Sequence, residues 1–364
     1  MSIITFIIII AVLVFVHELG HFLFAKRSGI RVDEFAIGFP PKIFSWKKGE
    51  TKYTLNLIPF GGYVKIFGEN PDEESINGPD KKRSFVNKPK SIQAAVLIAG
   101  ILFNIIFAWM LFSASFFLGV TTEGSGPNAS LVITDVIKDS PADTSGFKVG
   151  DVITSLSLAP SLENKIIMAP ITPEQVKEFI GKSEGKEIAV TYKRGDKDYI
   201  KNIKPLTGVV KNTYAIGIQM AEVSIQKLPI HLAVWQGAKT TVQVIKETTV
   251  GLYDFISKIF MIKADLSQVA GPVGIVGLVG QASQFGFGYL LSFTALISVN
   301  LAIINLIPFP ALDGGRLLFV GIEAIRRKAI SPKVANAFNL IGFGLLILLM
   351  LTVTYGDIMR LFGR

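Results

Sequence analysis

Four long apolar stretches constrain this chain more than any other feature of its sequence. They run from about Ser2 to Ala25, Ile92 to Leu118, Tyr289 to Phe309 and Ala335 to Tyr355. Each is close to the ~20 apolar residues that cross ~30 Å of hydrocarbon as a helix. Only 18% of the 364 residues are charged, against about a quarter in soluble globular proteins. The sequence therefore predicts a polytopic α-helical membrane protein with four transmembrane helices.

Basic residues near the ends of these stretches predict the orientation of the chain. The segment between the first two stretches carries 13 Lys and Arg, and five more lie between the third and the fourth. Because such residues concentrate on the cytoplasmic side, we expect both segments there. The N-terminus, the long segment between stretches two and three, and the C-terminus are then extracytoplasmic. We expect the net charge of +9 to face the headgroups of a lipid bilayer and not a nucleic acid.

The segments outside the membrane show strand and helix patterns. The cytoplasmic segment predicts a β-hairpin that turns at Lys47–Glu50 and ends near Lys65. The long outer segment predicts a compact α+β domain over Thr121–Pro205, followed by an amphipathic helix from Pro229 to Ile262. The domain's predicted elements are strands at Leu131–Asp135, Asp151–Ser157, Glu187–Arg194 and Tyr199–Lys204, and a helix at Thr172–Ile180.

The first apolar stretch contains the run His17-Glu18-Leu19-Gly20-His21. Residues four apart lie on the same face of a helix, so both imidazoles can bind one metal ion. Glu18 then projects beside the metal, where a carboxylate can take a proton from water. Ionisable side chains within a membrane span are costly and usually mark a function. The run therefore predicts a zinc site with His17 and His21 as ligands and Glu18 as the catalytic base.

A third ligand is needed, because catalytic zinc sites use three protein ligands and one open position. The chain has no cysteine, and His231, the third histidine, follows the outer domain on the opposite side of the membrane. A carboxylate must complete the set. The third stretch ends in two prolines, Pro308 and Pro310, which break the helix and are expected to present Asp313 on an extended segment. Asp313 is therefore the predicted third ligand, with a loop or helix-capping aspartate as the alternative.

These motifs resemble the site-2 protease family of intramembrane zinc metalloproteases, and most of all its bacterial RseP/RasP-type members with a single PDZ domain. The family's HExxH motif corresponds to residues 17–21, and its Asn-x-x-Pro-x-Pro-x-Leu-Asp-Gly motif to residues 305–314. The resemblance implies that His17, His21 and Asp313 bind Zn2+ and that Glu18 is catalytic. It also implies that Asn300 and Asn305 hold the substrate backbone or the tetrahedral intermediate.

The resemblance extends to the segments outside the membrane. Gly61–Lys65 is similar to the family's membrane-associated β-hairpin, and Gly271–Gly274 to the segment before its third span. Ser140–Ala142 followed by Gly146–Ile153 resembles the signature of bacterial PDZ domains. The implied organisation is a membrane protease half over 1–120, a PDZ domain over 121–207, a linker with an amphipathic helix over 208–285, and a second membrane half over 286–364.

Two positions depart from the family pattern. The family's Gly-Pro-x-x-Asn motif in the second span lacks its proline here and reads Gly100 to Asn104, and Arg316 stands where many members have histidine. Neither departure affects a predicted ligand.

The predicted function is cleavage of single-pass membrane proteins within a bacterial inner membrane, with the active site near the cytoplasmic face. Anti-sigma factors after a first cut, or remnant signal peptides, are the substrates that the resemblance implies. Two alternatives come from other classes. A zinc transporter would be expected to carry ligands in several spans and to show inverted repeats. An inactive membrane PDZ scaffold would tolerate the loss of Glu18 or of a ligand.

Overall fold

The computed structural model describes residues 2–123, 129–158, 167–168, 172–195, 197–210, 213–261, 269–328 and 330–362. They form two compact units. The first unit consists of Met1–Ala114, Ile230–Gly280 and Leu291–Arg364, and the second of Ser115–Pro229 and Gln281–Leu290.

Ten α-helices occur in the described residues, and four of them are long and apolar enough to cross a membrane. These four are α1, α3, α8 and α10, which agree with the four predicted stretches. The helices are α1 Ser2–Arg27, α2 Glu73–Asn77, α3 Lys90–Leu118, α4 Pro141–Thr144, α5 Pro173–Lys182, α6 Ile230–Phe260, α7 Pro272–Gln284, α8 Phe287–Leu306, α9 Asp313–Arg326 and α10 Pro332–Leu361.

The described residues also contain eleven β-strands. They are β1 Val32–Lys48, β2 Thr51–Ile66, β3 Val120–Glu123, β4 Ser130–Val136, β5 Val152–Leu158, β6 Ile167–Met168, β7 Ile188–Arg194, β8 Lys197–Ile203, β9 Leu206–Val210, β10 Thr213–Ala215 and β11 Ile218–Gln226.

In the first unit, α1 and α3 pack with their backbones in close contact. A Cβ atom on Gly20 of α1 would lie 2.9 Å from the Cα of Gly100 in α3, and it would overlap the carbonyl oxygen of Ala99. Only glycine permits this approach. It brings the face of α1 that carries His17 and His21 directly against α3.

Strands β1 and β2 pair with each other, and the turn between them falls at Gly49 and Glu50, as the sequence predicts. Both strands bend, however, so that part of β1 has a partner segment of β2 on each of its two sides. Residues 34–37 of β1 pair with residues 52–55 of β2 and also with residues 62–65. The end of β2, Gly62–Ile66, pairs with β1 on one side, and within the described chain no strand pairs with its other side. We call Gly62–Ile66 the edge segment.

The third apolar helix, α8, ends at Leu306, three residues before the predicted end. Proline at 308 lacks a backbone donor and disfavours the helical conformation of the residue before it. The chain then turns, with a positive φ of 69° at Ala311, and α9 begins at Asp313 itself. The expectation that Asp313 lies on an extended segment is wrong in this detail, because only the residues before it are non-helical.

The second unit contains a seven-stranded sheet in which the order is β3-β11-β4-β5-β7-β8, with β6 paired to β5. The four predicted strands agree with β4, β5, β7 and β8, and the predicted helix with α5, which has Thr172 as its N-cap. Residues 124–128, 159–166, 169–171 and 196 of the predicted domain, and Ile262 at the end of the predicted linker helix, lie outside the described residues. Side chains from the sheet and from α5 form one apolar core, which includes Leu131, Ile153, Val176 and Ile188.

Candidate active site

Two histidines of α1 face one another within the first unit. His17 and His21 are both 7% exposed, and their ring centroids are 4.8 Å apart. Their Nε2 atoms lie 3.2 Å from each other. The spacing of four residues on a helix produces this arrangement, as the sequence predicts.

Asp313, the first residue of α9, meets the two imidazoles. Its Oδ2 atom lies 3.0 Å from Nε2 of His17 and 3.2 Å from Nε2 of His21. Among the described residues, these three side chains form the group with metal-ligand character. The helix break before α9 therefore delivers a carboxylate to a histidine pair that lies almost 300 residues earlier in the sequence.

The hydrogen bonds of this cluster fit a cation at its centre. Nδ1 of His21 lies 2.9 Å from the carbonyl oxygen of Val96. A carbonyl only accepts, so the neutral ring carries its proton on Nδ1 and turns the lone pair of Nε2 towards Asp313. Oδ2 of Asp313 is buried, and it makes no hydrogen bond of ordinary geometry with a described residue. One proton can be shared by only two of the atoms Nε2 of His17, Nε2 of His21 and Oδ2 of Asp313, whereas a metal ion can bind all three.

The dimensions of the triangle also suit zinc. Ligand atoms about 2.0–2.2 Å from a tetrahedral zinc ion are about 3.3–3.6 Å apart. The three observed distances of 3.0, 3.2 and 3.2 Å are within a few tenths of an ångström of that range.

Glu18 lies beside the triangle and does not belong to it. Its neighbours come from the edge segment: the backbone of Val64 hydrogen-bonds the carboxylate, and a Cβ atom on Gly62 would lie 3.7 Å from its Cγ. The base predicted from the sequence thus lies between the histidine pair and the edge segment.

Helix α3 forms the back of the cluster. Val96 accepts the hydrogen bond from His21, and Gly100, one turn later, leaves room for both rings. Asn104, another turn later, is fully buried with its amide 3.3 Å from Nδ1 of His17. In the sequence, Gly100 and Asn104 are marked only as the ends of the family's Gly-Pro-x-x-Asn pattern, which predicts no contact with the histidines. Val96 carries no signal beyond its spacing of four from Gly100, which does not differ from that of a packing face.

Asn300 and Asn305, the two predicted substrate-binding residues, both lie on α8. Five residues on a helix correspond to a rotation of about 140°, so the two side chains leave α8 on different faces. Thr248 of α6 donates a hydrogen bond of 2.9 Å to Oδ1 of Asn300. Asn305 is half-buried in the last turn of α8.

Arg316, where the sequence departs from the family pattern, lies one turn after Asp313 on α9. Its guanidinium pairs with the carboxylate of Glu69, which follows the edge segment. This pair connects the beginning of α9 to the β1–β2 sheet.

Comparison with known proteins identifies the family. The model of peptidase family M50 matches residues 5–349. The chain belongs to peptidase family M50. The site-2 proteases, which the sequence motifs resemble, are part of this family, so the prediction of the family is confirmed.

Curated relatives align over nearly the whole chain. The zinc metalloprotease RasP of Oceanobacillus iheyensis is 32% identical, with 99% of both chains covered. The zinc metalloprotease RasP of Shouchella clausii is 31% identical over the full length of both chains. The regulator of sigma-W protease RasP of Bacillus subtilis is 32% identical, again with 99% of both chains covered. The predictions that this chain is a zinc metalloprotease and that its cofactor is Zn2+ are confirmed.

Proposed function

We propose that this metalloprotease cleaves single-pass membrane proteins within the lipid bilayer, and that His17, His21 and Asp313 hold its zinc ion. One observation carries the proposal: a metal-binding triangle is built from a helix long and apolar enough to span a membrane and from a helix that follows another such span. Peptide hydrolysis in that setting requires a site that is enclosed by protein and supplied with water.

Each side chain has a distinct part in the proposed mechanism. A zinc ion held by His17, His21 and Asp313 would polarise the scissile carbonyl and lower the pKa of a water molecule. Glu18 accepts the proton of the attacking water and returns it to the leaving amine. Asn305 and Asn300 are proposed to donate hydrogen bonds to the substrate backbone. For Asn300 the bond from Thr248 to Oδ1 supports this role, because it leaves the amide nitrogen as the free donor.

The edge segment is proposed to hold the substrate. Amide bonds of a helical substrate are protected by the helix, so the substrate must unwind before it is cleaved. An extended peptide can add to an unpaired strand through main-chain hydrogen bonds. Gly62–Ile66 is such a strand, and it contacts the proposed base through Gly62 and Val64. Pairing there places the unwound peptide beside Glu18.

The proposed topology follows the positive residues. The β1–β2 sheet and the metal triangle belong to the cytoplasmic side, and both termini and the second unit to the outer side. We propose that the second unit contains a PDZ domain, formed mainly by residues 121–207. Strand β11, which pairs with β3 and β4, adds residues 218–226 to its sheet. Residues 208–285 otherwise form the linker with the amphipathic helix α6, between membrane halves over 1–120 and 286–364.

The proposed substrate class follows from the proposed position of the active site on the cytoplasmic side and from the name of one relative. The Bacillus subtilis protein is named a regulator of sigma-W protease, which supports membrane-anchored regulators of sigma factors as substrates. We propose that such anti-sigma factors are cut here after a first cleavage outside the membrane, and that remnant signal peptides are a second group. The proposed location is a bacterial inner membrane.

Reporter cleavage in liposomes tests this function. The full-length enzyme is reconstituted with a single-span reporter that carries a short outer tail, and cleavage is followed by gel shift. We expect cleavage by the native enzyme, loss on zinc chelation with recovery on zinc addition, and no cleavage by Glu18→Gln. Glu178→Gln in the second unit is the matched control and should cleave normally. Cleavage by Glu18→Gln, or zinc uptake into the vesicles without cleavage, would overturn the proposal.

A further inference from the structure

Asn104 contacts the ring nitrogen of His17 that points away from the metal triangle. The residue is 0% exposed, and its Nδ2 atom lies 3.3 Å from Nδ1 of His17. Its Oδ1 atom is also buried and has no hydrogen-bond partner among the described residues. A buried amide oxygen without a donor is destabilising.

The two ends of an asparagine amide have almost the same shape, and their assignment follows from their hydrogen bonds. With the nitrogen facing His17, Nδ1 must accept, and the neutral ring then carries its proton on Nε2. That proton would point into the triangle formed with His21 and Asp313 and would occupy the lone pair that a metal needs. With the oxygen facing His17, Nδ1–H donates to Oδ1 and Nε2 is free to bind the metal.

We propose that Asn104 is a positioning residue whose side-chain oxygen accepts a hydrogen bond from Nδ1–H of His17 and so fixes the tautomer that binds zinc. The inference rests on the proposed ligand set. It gives both imidazoles the same kind of support from α3, because the carbonyl oxygen of Val96 already performs this task for His21. Metal-bound histidines almost always donate their second ring N–H to such an acceptor.

The position of Asn104 on α3 supports this role. Val96, Gly100 and Asn104 are spaced by four residues, so one face of the helix supplies an acceptor, a gap for the rings and a second acceptor. The backbone of Asn104 is itself held, because Ser298 of α8 donates a hydrogen bond of 2.8 Å to its carbonyl oxygen. Because the side chain is also fully buried, the amide has little freedom other than the exchange of its two ends.

Zinc affinity tests the inference without reference to activity. The full-length protein is purified in detergent, and zinc is titrated against a chromophoric chelator. Asn104→Leu removes the acceptor at similar size, and we expect about 10- to 100-fold weaker zinc binding. Asn104→Asp keeps an acceptor and should bind zinc at least as tightly as the native protein.

Gln93→Leu is the matched control. Gln93 is also buried in α3, and its amide donates to the carbonyl oxygens of Val86 and Lys88, away from the rings. We expect native zinc affinity for this variant. If Asn104→Leu binds zinc as tightly as the native protein, or if Asn104→Asp and Gln93→Leu lose affinity as strongly as Asn104→Leu, the inference is wrong and Asn104 has a packing role.

Two further measurements distinguish a failure of the proposed ligand set from a failure of the role proposed for Asn104. His17→Ala should lose zinc; if it does not, the proposed ligand set fails before Asn104 is considered. Selective 15N labelling of histidine gives only three ring systems in this chain, so the ring N–H of His17 can be followed in the zinc-saturated protein. We expect a slowly exchanging Nδ1–H signal in the native protein and in Asn104→Asp, and a faster-exchanging one in Asn104→Leu. Zinc bound through Nδ1 of His17 in the native protein would overturn the proposal.

Discussion

Gly100 of α3 faces His21 of α1 so closely that a Cβ atom on residue 100 would lie 2.6 Å from Cε1 of the imidazole. The same Cβ would lie 2.9 Å from Cε1 of His17. Both distances are well below van der Waals contact. The absence of a side chain at this position is therefore a condition for the present positions of the two rings.

Gly100→Ala should displace one or both imidazoles and weaken zinc binding at least tenfold, although no ligand is replaced. Gly344→Ala in α10 is the control, because a Cβ atom there meets nothing within 4 Å. The measurement is zinc affinity by chelator competition for both variants in detergent. Equal affinity for native protein and Gly100→Ala would show that the rings do not need this gap.

The break between α8 and α9 yields a second prediction. Replacement of both Pro308 and Pro310 by alanine removes the barrier to continuing α8, and a longer helix carries Asp313 away from the histidines. Zinc per chain should fall although the three ligands are intact. Metal analysis of the purified double variant checks this result, and unchanged zinc with unchanged cleavage would contradict the proposed role of the break.

Cross-linking tests the proposed substrate strand. The chain has no cysteine, so single cysteines can be placed without background. In the Glu18→Gln protein, Lys65→Cys on the edge segment should form a disulfide with a cysteine near the cleavage position of a bound substrate. Lys42→Cys, on the part of β1 away from the edge segment, should not. Equal cross-linking at both positions would argue against pairing at Gly62–Ile66.

The second unit holds none of the proposed ligands or the proposed base, and this suggests a deletion. The chain enters and leaves the unit side by side: a Cβ atom on Gly119 would lie 3.9 Å from Cβ of Lys227. Residues 120–226 can therefore be replaced by a short Gly-Ser linker.

We expect this deletion to keep bound zinc and cleavage of reporters with short outer tails, and to permit cleavage of reporters with a bulky outer domain. The measurement is cleavage of both reporters by native and deleted enzyme in liposomes. This expectation supposes that the domain excludes substrates whose folded outer domain collides with it. Loss of both cleavages with normal zinc would instead show that the domain has a structural or delivery role.

The sequence predicts the membrane helices and most of the sheet of the second unit for simple physical reasons. Hydrocarbon thickness fixes the length of a span, and the alternation of side chains marks β4, β5, β7 and β8. Strand β11 was missed because its place between β3 and β4 depends on pairing with residues almost a hundred positions away. The ends of α8 and α9 depend on local turn geometry, which the two prolines indicate only approximately.

The candidate site also contains residues that the sequence predicts and residues that it does not. His17, Glu18 and His21 are detectable because charge inside an apolar helix is costly and rare. Asp313 follows from the need for a third ligand. The support from α3 was detectable only in part, because the family pattern marks Gly100 and Asn104 without giving them a contact, and the backbone carbonyl of Val96 leaves no chemical signature in a sequence.

Zinc content of an Asp313→Asn variant tests the central claim most directly. Asp357→Asn is the matched control, because Asp357 is also a buried aspartate, and it accepts hydrogen bonds from the backbone of Gly271 and Gly274 at the start of α7. Metal analysis of purified full-length protein should give about one zinc per chain for the native protein and for Asp357→Asn, and much less for Asp313→Asn. A full zinc complement in Asp313→Asn would contradict a metal site built from His17, His21 and Asp313.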